Sequence, residues 1–447
     1  MNLTDTFVHT LYTLKSQPIP AEVKEETRKC LLDQVGVMIA GAALLKENLG
    51  NYLDMFSGGE ATAVGLGRKA SLQNAALVNG ISGHDMDYDD GHRFCNVHLG
   101  STVIPAVLAV AEKEHKSMDD AIQGIVIGYE AAVRLGSCIQ PAHRARGYHA
   151  SGTVGTIGAA MGVAALLDFD REQFKSTLAA ACTSAAGILE MQENVSTLKP
   201  FNIGRAAYDG ITAALIVRAG FRGPEDTLAG KFGFLRAACE THKPEFLSLE
   251  MDSNYSICGS YHKPYASCRH THGAAFAALQ AVGDNNLNWR DIDRITVDMY
   301  GQGVNGHDHI DIPSAVAGKM SVPFCIALVL LTGNIGMRSF KEDTLFNPDI
   351  VALTRKITVR ADEELTSWVP KKRAARITVT MRSGEAFTAQ VDYPLGEPEL
   401  PMSIDDFRAK VTELALYAGR TEQDIRQMID MILTFEGNVA DLMKKLA

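Results

Sequence analysis

From Ala21 to about residue 245, apolar residues recur at i, i+3 and i+4 with little strand-type alternation, a period that commits this length of chain to helices packed on helices. EVKEETRKCLLDQVGVMIAGAALL shows it plainly. Val23, Thr27, Leu31 or Leu32, Val35 and Ile39 fall along one face, and the closing Gly and Ala residues permit close helix contact. ATAVGLGRKA reads as a brief hairpin or loop between helices. Beyond residue 255 the period changes. DRITVDMYG, RKITVRAD and ARITVTMRSGEAFTAQVDYP alternate and are rich in β-branched residues, with Ser383-Gly384 as a hairpin turn, while MSVPFCIALVLLTG between them reads as a helix. The tail from SIDDFRAK onward returns to helical period and is expected to pack back on the first part. At 447 residues the chain is long for one core. The expected architecture is mainly α with an α+β part: a large all-helical domain from both chain ends (1–264 and 396–447) and a smaller inserted α/β domain (265–395).

Inside the helical part, HDMDYDDGHRFCNVHLGST, His84 to Thr102, sets four aspartates and three histidines between two apolar segments, NAALVNGISG and STVIPAVLAVAE. Ser101 and Thr102 are expected to cap the second of these helices, with Pro105 in its first turn. Carboxylates and imidazoles in a turn between buried helices are held in fixed positions with shifted pKa values, as proton-transfer catalysis requires. A calcium loop does not fit: counting from Asp85, Asp90 falls where the glycine belongs and Asn96 where the glutamate belongs. A magnesium-diphosphate site would want a second acidic cluster, and the three interleaved histidines argue against a merely solvated acidic turn.

Three later stretches add candidates. In GYHASGTVGTIGAA, glycines 152, 155, 158 and 162 lie along one helix face, a packing signature, while His149 stands just before a helix N-terminus that favours an anion. Lys199 and Arg205 are expected to bracket a turn fixed by Pro200 and relieved by Gly204, two cations suited to carboxylates, with Arg205 alternatively extending to solvent. HKPYASCRHTHGAAF places Lys263, Arg269, His270 and His272 at the start of a helix, a cationic pocket.

A net charge of -10 without Lys/Arg runs argues against nucleic-acid partners and leaves small acidic substrates open. Eight cysteines stand singly, without CxxC, so most are read as small buried residues; Cys95 and Cys268 alone lie inside polar motifs. The uncharged run Ala150 to Leu167 is Gly/Ala/Ser/Thr-rich, a packing helix rather than a membrane span. The first twenty residues lack the order of a signal peptide and read as the first helix, so a cytoplasmic location is expected. No strand-GxGxxG-helix order marks a dinucleotide site.

Taken together, NGISGHDMDYDDGHR with HLGST, GYHASGTVGTIGAA, LKPFNIGRAAYDG, KPYASCRHTH, AGKMSVPFCIALVLL and the YPLGEPELPMS link resemble the MmgE/PrpD family, in order and over nearly the whole chain. That family includes 2-methylcitrate dehydratase, cis-aconitate decarboxylase and iminodisuccinate epimerase. The resemblance implies a homodimer, an active site between two domains, and chemistry on small di- or tricarboxylates with neither metal nor organic cofactor. It places the catalytic aspartate on Asp87, the loop histidine on His98, the histidine of the G-aromatic-H motif on His149 and the lysine of the KP motif on Lys199. Where the decarboxylase branch carries a later histidine this chain has Cys268, followed by His270 and His272; Gly91 replaces a threonine, and the loop before His98 is one residue longer.

Removing a proton next to a carboxylate builds charge into an enediolate-like system, so a site needs a base, fixed cations and an acid for the leaving group. Asp87 or His149 is the expected base, His98 the acid, and Lys199, Lys263 and Arg269 the carboxylate clamps; His92, Cys268, His270 and His272 are further candidates for substrate contact. Dehydration is the expected outcome, because it uses both an acid and a base; epimerisation and decarboxylation share the opening step.

Overall fold

The computed structural model describes residues 2–192, 196–248 and 255–447; the helical expectation at 193–195 falls outside the described residues. The chain divides into two compact units. One comprises Met1–Asp85, Asp89–Tyr261 and Ile404–Ala447, and the other Met86–Tyr88 and His262–Ser403.

The first unit is built on helices α1 (Leu3–Lys15), α2 (Ala21–Leu44), α3 (Leu72–Asp85), α4 (Leu99–Lys113), α5 (Met118–Ile139), α6 (Ala150–Leu166) and α7 (Lys199–Arg218). Asn2 caps α1, its side-chain oxygen accepting from the Asp5 N–H at 2.7 Å. α2 is more enclosed than an amphipathic face requires: every residue from Cys30 to Ala42 is buried. The ATAVGLGRKA segment is the hairpin β1 (Ala61–Ala63) and β2 (Arg68–Ala70), paired antiparallel. The glycines of α6 bring backbones together as their spacing requires. A Cβ on Gly162 would stand 2.8 Å from the Gly124 carbonyl oxygen of α5, and one on Gly158 would stand 2.9 Å from that of Gly128. Among the described residues no helix is long and apolar enough to cross a membrane.

Two local expectations are corrected. α4 begins at Leu99 with His98 as its N-cap, so Ser101, Thr102 and Pro105 lie inside the helix. The capping oxygen comes from outside: Asp90 Oδ1 accepts the Gly100 N–H at 2.7 Å, which frees the Ser101 hydroxyl for other partners. Likewise α7 begins at Lys199, so Gly204 and Arg205 belong to its second turn rather than to a loop. Gly204 is needed for contact with α3, since a Cβ there would lie 2.3 Å from the Leu77 carbonyl oxygen. Arg205 pairs with Asp209 one turn on, at 3.0 Å, with its side chain 42% exposed.

In the second unit, α8 (Arg269–Asp284) covers a four-stranded mixed sheet of β3 (Ile292–Met299), β4 (Ile357–Ala361), β5 (Ala375–Met381) and β6 (Ala386–Val391), ordered β4-β3-β5-β6. β3 pairs parallel with β4 and antiparallel with β5, and β5 antiparallel with β6. Ile295, Val297 and Met299 on β3 and Ala375, Ile377 and Val379 on β5 are buried, the i, i+2 sets of strands covered by a helix. Gly384 turns the β5–β6 hairpin at φ 90°. α9 (Val322–Thr332) packs on α8, capped by the Ser321 hydroxyl and closed by Gly333 at φ 76°. The last helices return to the first unit, where Lys410 of α10 (Ile404–Tyr417) reaches Asp33 of α2 at 2.6 Å, both buried.

Candidate active site

The polar residues singled out by sequence fall into two groups, one in each unit. In the helical unit the organising group is Asp89, a fully buried carboxylate. The His84 Nδ1 meets it at 2.9 Å, the Ser101 hydroxyl donates to it at 2.8 Å, and the His98 Nδ1 lies 3.3 Å away while also pointing to the Asp90 carbonyl oxygen at 2.9 Å. Every partner of these two Nδ1 atoms is an acceptor, so in the neutral rings the proton sits on Nδ1 and the lone pair on Nε2. Burial holds His84 down to about 4 despite the Asp89 charge, and the two imidazoles beside Asp89 keep its carboxyl well below the usual range despite burial. His84 Nε2 is buried and takes no hydrogen bond from the described residues. The two rings meet edge to face at 4.5 Å, and the His98 side chain is the more accessible, 16% exposed against 1%.

His149 has the opposite tautomer. It caps α6 and is buried, and its Nδ1 accepts from the Asn202 side-chain nitrogen at 3.2 Å. The same nitrogen donates to the Ile188 carbonyl at 3.3 Å, which fixes the amide orientation and leaves the imidazole proton on Nε2. Burial and then the nearby charge of Lys199 hold His149 well below its ordinary value, so the ring is neutral. Lys199, first residue of α7, also lowers His84. Asp90 holds the loop: it caps α4 and accepts from the buried Tyr129 hydroxyl at 2.7 Å. His92 is buried, with its backbone N–H donating to the Val97 carbonyl and its ring against Phe94. Cys95 is buried, and a Cβ on Gly136 would stand 2.5 Å from its own Cβ, which is a packing role.

The second group starts from three residues in the middle of the polar stretch. Met86–Tyr88 are held by the α/β unit: Lys319 donates to the Met86 carbonyl at 3.2 Å, Tyr88 to that of Pro264 at 2.9 Å, and Lys263 to Asp87. The Lys263 ammonium, 1% exposed, reaches both the Asp87 carbonyl oxygen and Oδ1 at 2.7 Å. Asp87 sits at φ 53°, left-handed backbone that a non-glycine residue adopts at a cost. Arg269 and His272 find partners inside their own unit. Arg269 donates to Glu397 at 2.8 Å with both side chains buried, and His272 is fully enclosed between Arg269 and the Ser267 carbonyl. Burial and then the Arg269 charge hold His272 well below its ordinary value. His270 Nδ1 meets the Tyr300 hydroxyl at 2.6 Å.

Cys268, the N-cap of α8, meets a residue the sequence reading missed: its Sγ lies 3.4 Å from His307 Nε2. His307 comes from GVNGHDHID, where nothing in the spacing marks it. Cys268, His270 and His307 bring one donor atom each to within 4.8 Å of one another, the arrangement among the described residues of this unit closest to a metal set. His84 and Asp89 were also missed as individuals, although they belong to the stretch that drew attention.

Two family profiles match the chain, the MmgE/PrpD N-terminal domain over residues 5–247 and the MmgE/PrpD C-terminal domain over 265–433. The chain belongs to the MmgE/PrpD family. Its C-terminal family segment runs past Ser403 into helices that the structure counts with the helical unit. Among characterised members, the cis-aconitate decarboxylase of Aspergillus terreus is 25% identical over 459 residues, covering 96% of this chain and 92% of that one. A cis-aconitate decarboxylase-like protein of Aspergillus oryzae is 26% identical over 374 residues, 77% and 76% of the two chains. The human cis-aconitate decarboxylase matches at 26% over 241 residues, 52% of this chain and 50% of the other.

Proposed function

We propose that this protein is a lyase that abstracts a proton next to a carboxylate of a small di- or tricarboxylate and expels hydroxide, a dehydration of the 2-methylcitrate dehydratase type. The observation that carries the reading is the opposite character of two Nδ1 contacts in one unit: His98 Nδ1 faces the Asp90 carbonyl oxygen and His149 Nδ1 faces the Asn202 amide nitrogen, which assigns a bare Nε2 to a neutral His98 and an Nε2–H to His149. In its neutral form His98 thus offers a basic Nε2, while His149 offers a neutral donor.

His98 takes the carbon-bound proton on Nε2, and the imidazolium that forms is stabilised by Asp89. His149 donates to the enediolate oxygen, and the Lys199 ammonium offsets its charge. As the carbon-oxygen bond breaks, the leaving oxygen takes the proton that His98 Nε2 received and departs as water, which returns the ring to its neutral form. Of the two histidines, His98 rather than His149 is thus the base, against the sequence-based expectation, because hydrogen bonds to Nδ1, not chain position, decide which ring nitrogen carries the proton.

A second reading, decarboxylation, is favoured by the cis-aconitate decarboxylase activity named for relatives at 25–26% identity. The deciding experiment incubates the protein in D₂O with citrate, methylcitrate, aconitate and amino-dicarboxylates and follows the NMR spectra. Alkene formation with loss of the hydroxyl-bearing carbon signal supports dehydration. Loss of a carboxyl carbon moves the assignment to decarboxylation, and deuterium wash-in without net loss of substrate moves it to epimerisation.

A further inference from the structure

We propose that the α/β unit binds a zinc(II) ion through Cys268, His270 and His307, a site that this unit builds by itself. The thiol sulfur and one nitrogen of each imidazole lie within 4.8 Å of one another. A tetrahedral zinc ion with bonds of about 2.0–2.3 Å spaces its ligand atoms roughly 3.3–3.8 Å apart. Cys268 Sγ and His307 Nε2 already stand at that spacing, 3.4 Å. The His270 and His307 rings meet edge to face with centroids 4.9 Å apart, and no pair of donor atoms exceeds the zinc spacing by more than about 1 Å.

The backbone at each ligand is pinned within the unit. Cys268 is the N-cap of α8, His270 lies in the first turn, and the Cys268 N–H donates to the Lys319 carbonyl at 3.0 Å. His307 comes from a separate loop that the start of α9 holds: the Val322 N–H donates to the His307 carbonyl at 2.8 Å, and the Ser321 hydroxyl to that of His309 at 2.6 Å. The rings are held from behind as well. His307 donates through Nδ1 to the Asn305 carbonyl oxygen at 2.9 Å, which in the neutral ring puts the lone pair on Nε2, the atom that faces sulfur. His270 Nδ1 meets the hydroxyl of buried Tyr300 at 2.6 Å. A hydroxyl can accept the Nδ1 proton, and the ion then takes Nε2. Such partners on the far nitrogen orient metal-binding imidazoles and raise their basicity.

The donor set selects the ion. Magnesium and calcium want oxygen ligands, whereas one thiolate and two imidazoles suit zinc, which keeps a fourth position for water or another ligand. Binding displaces the thiol proton to solvent, so sulfur enters as thiolate and the ion with its three ligands keeps one net positive charge. A thiol-imidazole hydrogen bond accounts for the 3.4 Å contact but gives no role to the second imidazole beside it. Cys268 and His270 are half-buried and His307 is buried, so an ion can enter from the side of the first two. No step of the lyase reaction is assigned to the ion, and the site stands or falls without that reading.

The test uses the full-length protein, stripped with EDTA, exposed to zinc and desalted. Metal analysis is expected to find about one zinc ion per chain. Cobalt(II) in its place is expected to give a thiolate-to-cobalt charge-transfer band together with the intense visible absorption of tetrahedral coordination. Cys268→Ala and His307→Gln are expected to lose both the retained zinc and that band. Cys268 makes no side-chain capping bond, so its replacement by alanine leaves the start of α8 intact. Tyr300→Phe keeps the ring, removes the hydroxyl behind His270 and is expected to weaken zinc binding by about 10–100-fold. One arm needs no variant: zinc is expected to protect Cys268 of the wild type from iodoacetamide, read by peptide mass spectrometry, and a chelator to restore the labelling. A wild type that retains no zinc overturns the site. So does zinc held equally well by Cys268→Ala, or alkylation of Cys268 at one rate with and without zinc.

Discussion

The Lys263 ammonium grips Asp87 at two atoms, the carbonyl oxygen and Oδ1, each at 2.7 Å. This double contact fixes a left-handed aspartate at φ 53°. Backbone held in a sparsely populated region at a polar cluster is the kind of strain that functional sites retain.

Asp87→Asn keeps both an oxygen acceptor and the tolerance of asparagine for positive φ. The variant is expected to fold with a loss of about 1–3 kcal/mol, because the amide gives up the charge that the ammonium grips. Lys263→Met removes the only one of the two partners that supplies positive charge and leaves the carboxylate without it, at a cost of about 3–5 kcal/mol. Urea unfolding measured on both variants checks the pair; equal stability of Lys263→Met and wild type contradicts it.

Acid should begin to weaken the fold just below neutrality, above the ordinary carboxylate range. His84 has a folded value of about 4 against an ordinary 6.5, and His149 and His272 are lowered in the same direction. Below pH 6.5 the unfolded chain therefore binds protons that the folded chain refuses, so stability is lost as pH falls through this window. For His84 alone, the interval from 6.5 to about 4 corresponds to roughly 3 kcal/mol. The urea midpoint is expected to drop between pH 7 and pH 5, with a shallower drop in His84→Gln. A midpoint that does not move over that range defeats the assignment of neutral buried rings.

Much of this architecture was legible because periodicity is local. The helices from Ala21 onward, the β5–β6 hairpin at Ser383-Gly384 and the packing glycines of α6 follow from residues a few positions apart. Tertiary partners were not. Nothing in GVNGHDHID marks His307 as the partner of Cys268, and nothing near Arg269 marks Glu397 as the carboxylate it meets. The start of α4 misled for a related reason: Ser101 has a cap's chemistry, but Asp90, eleven residues before it, supplies the capping oxygen. The tautomers of His98 and His149 depend on such partners too, so the sequence identifies the rings without assigning their protons.

The return of the C-terminal helices rests on a buried ion pair. Lys410 and Asp33 meet at 2.6 Å with side chains 3% and 2% exposed, next to Val411, whose Cγ2 would stand 2.9 Å from a Cβ on Gly36. Lys410→Met removes the ammonium from a buried carboxylate and is expected to cost about 3–5 kcal/mol. Pairing it with Asp33→Leu should recover part of that loss, because the buried carboxylate is then gone as well. A double-mutant cycle by chemical denaturation reads the coupling directly, and additive losses would falsify it.

Asp89 is the residue on which the proposed base depends. Its carboxylate has only acceptor oxygens, and it faces the Nδ1 atoms of His84 and His98 and the Ser101 hydroxyl. Asp89→Asn preserves the volume but turns one of those oxygens into a donor, which cannot face an Nδ1–H without moving a proton. His98 still has the Asp90 carbonyl on Nδ1, so the conflict falls on whichever ring the amide nitrogen faces, and either outcome weakens the imidazolium that must form during proton abstraction. The variant is expected to fold, to lose about 10²–10⁴-fold in turnover and in deuterium exchange alike, and to show a displaced histidine proton in ¹⁵N NMR spectra. Exchange at the wild-type rate would leave Asp89 as a structural group and move the base elsewhere.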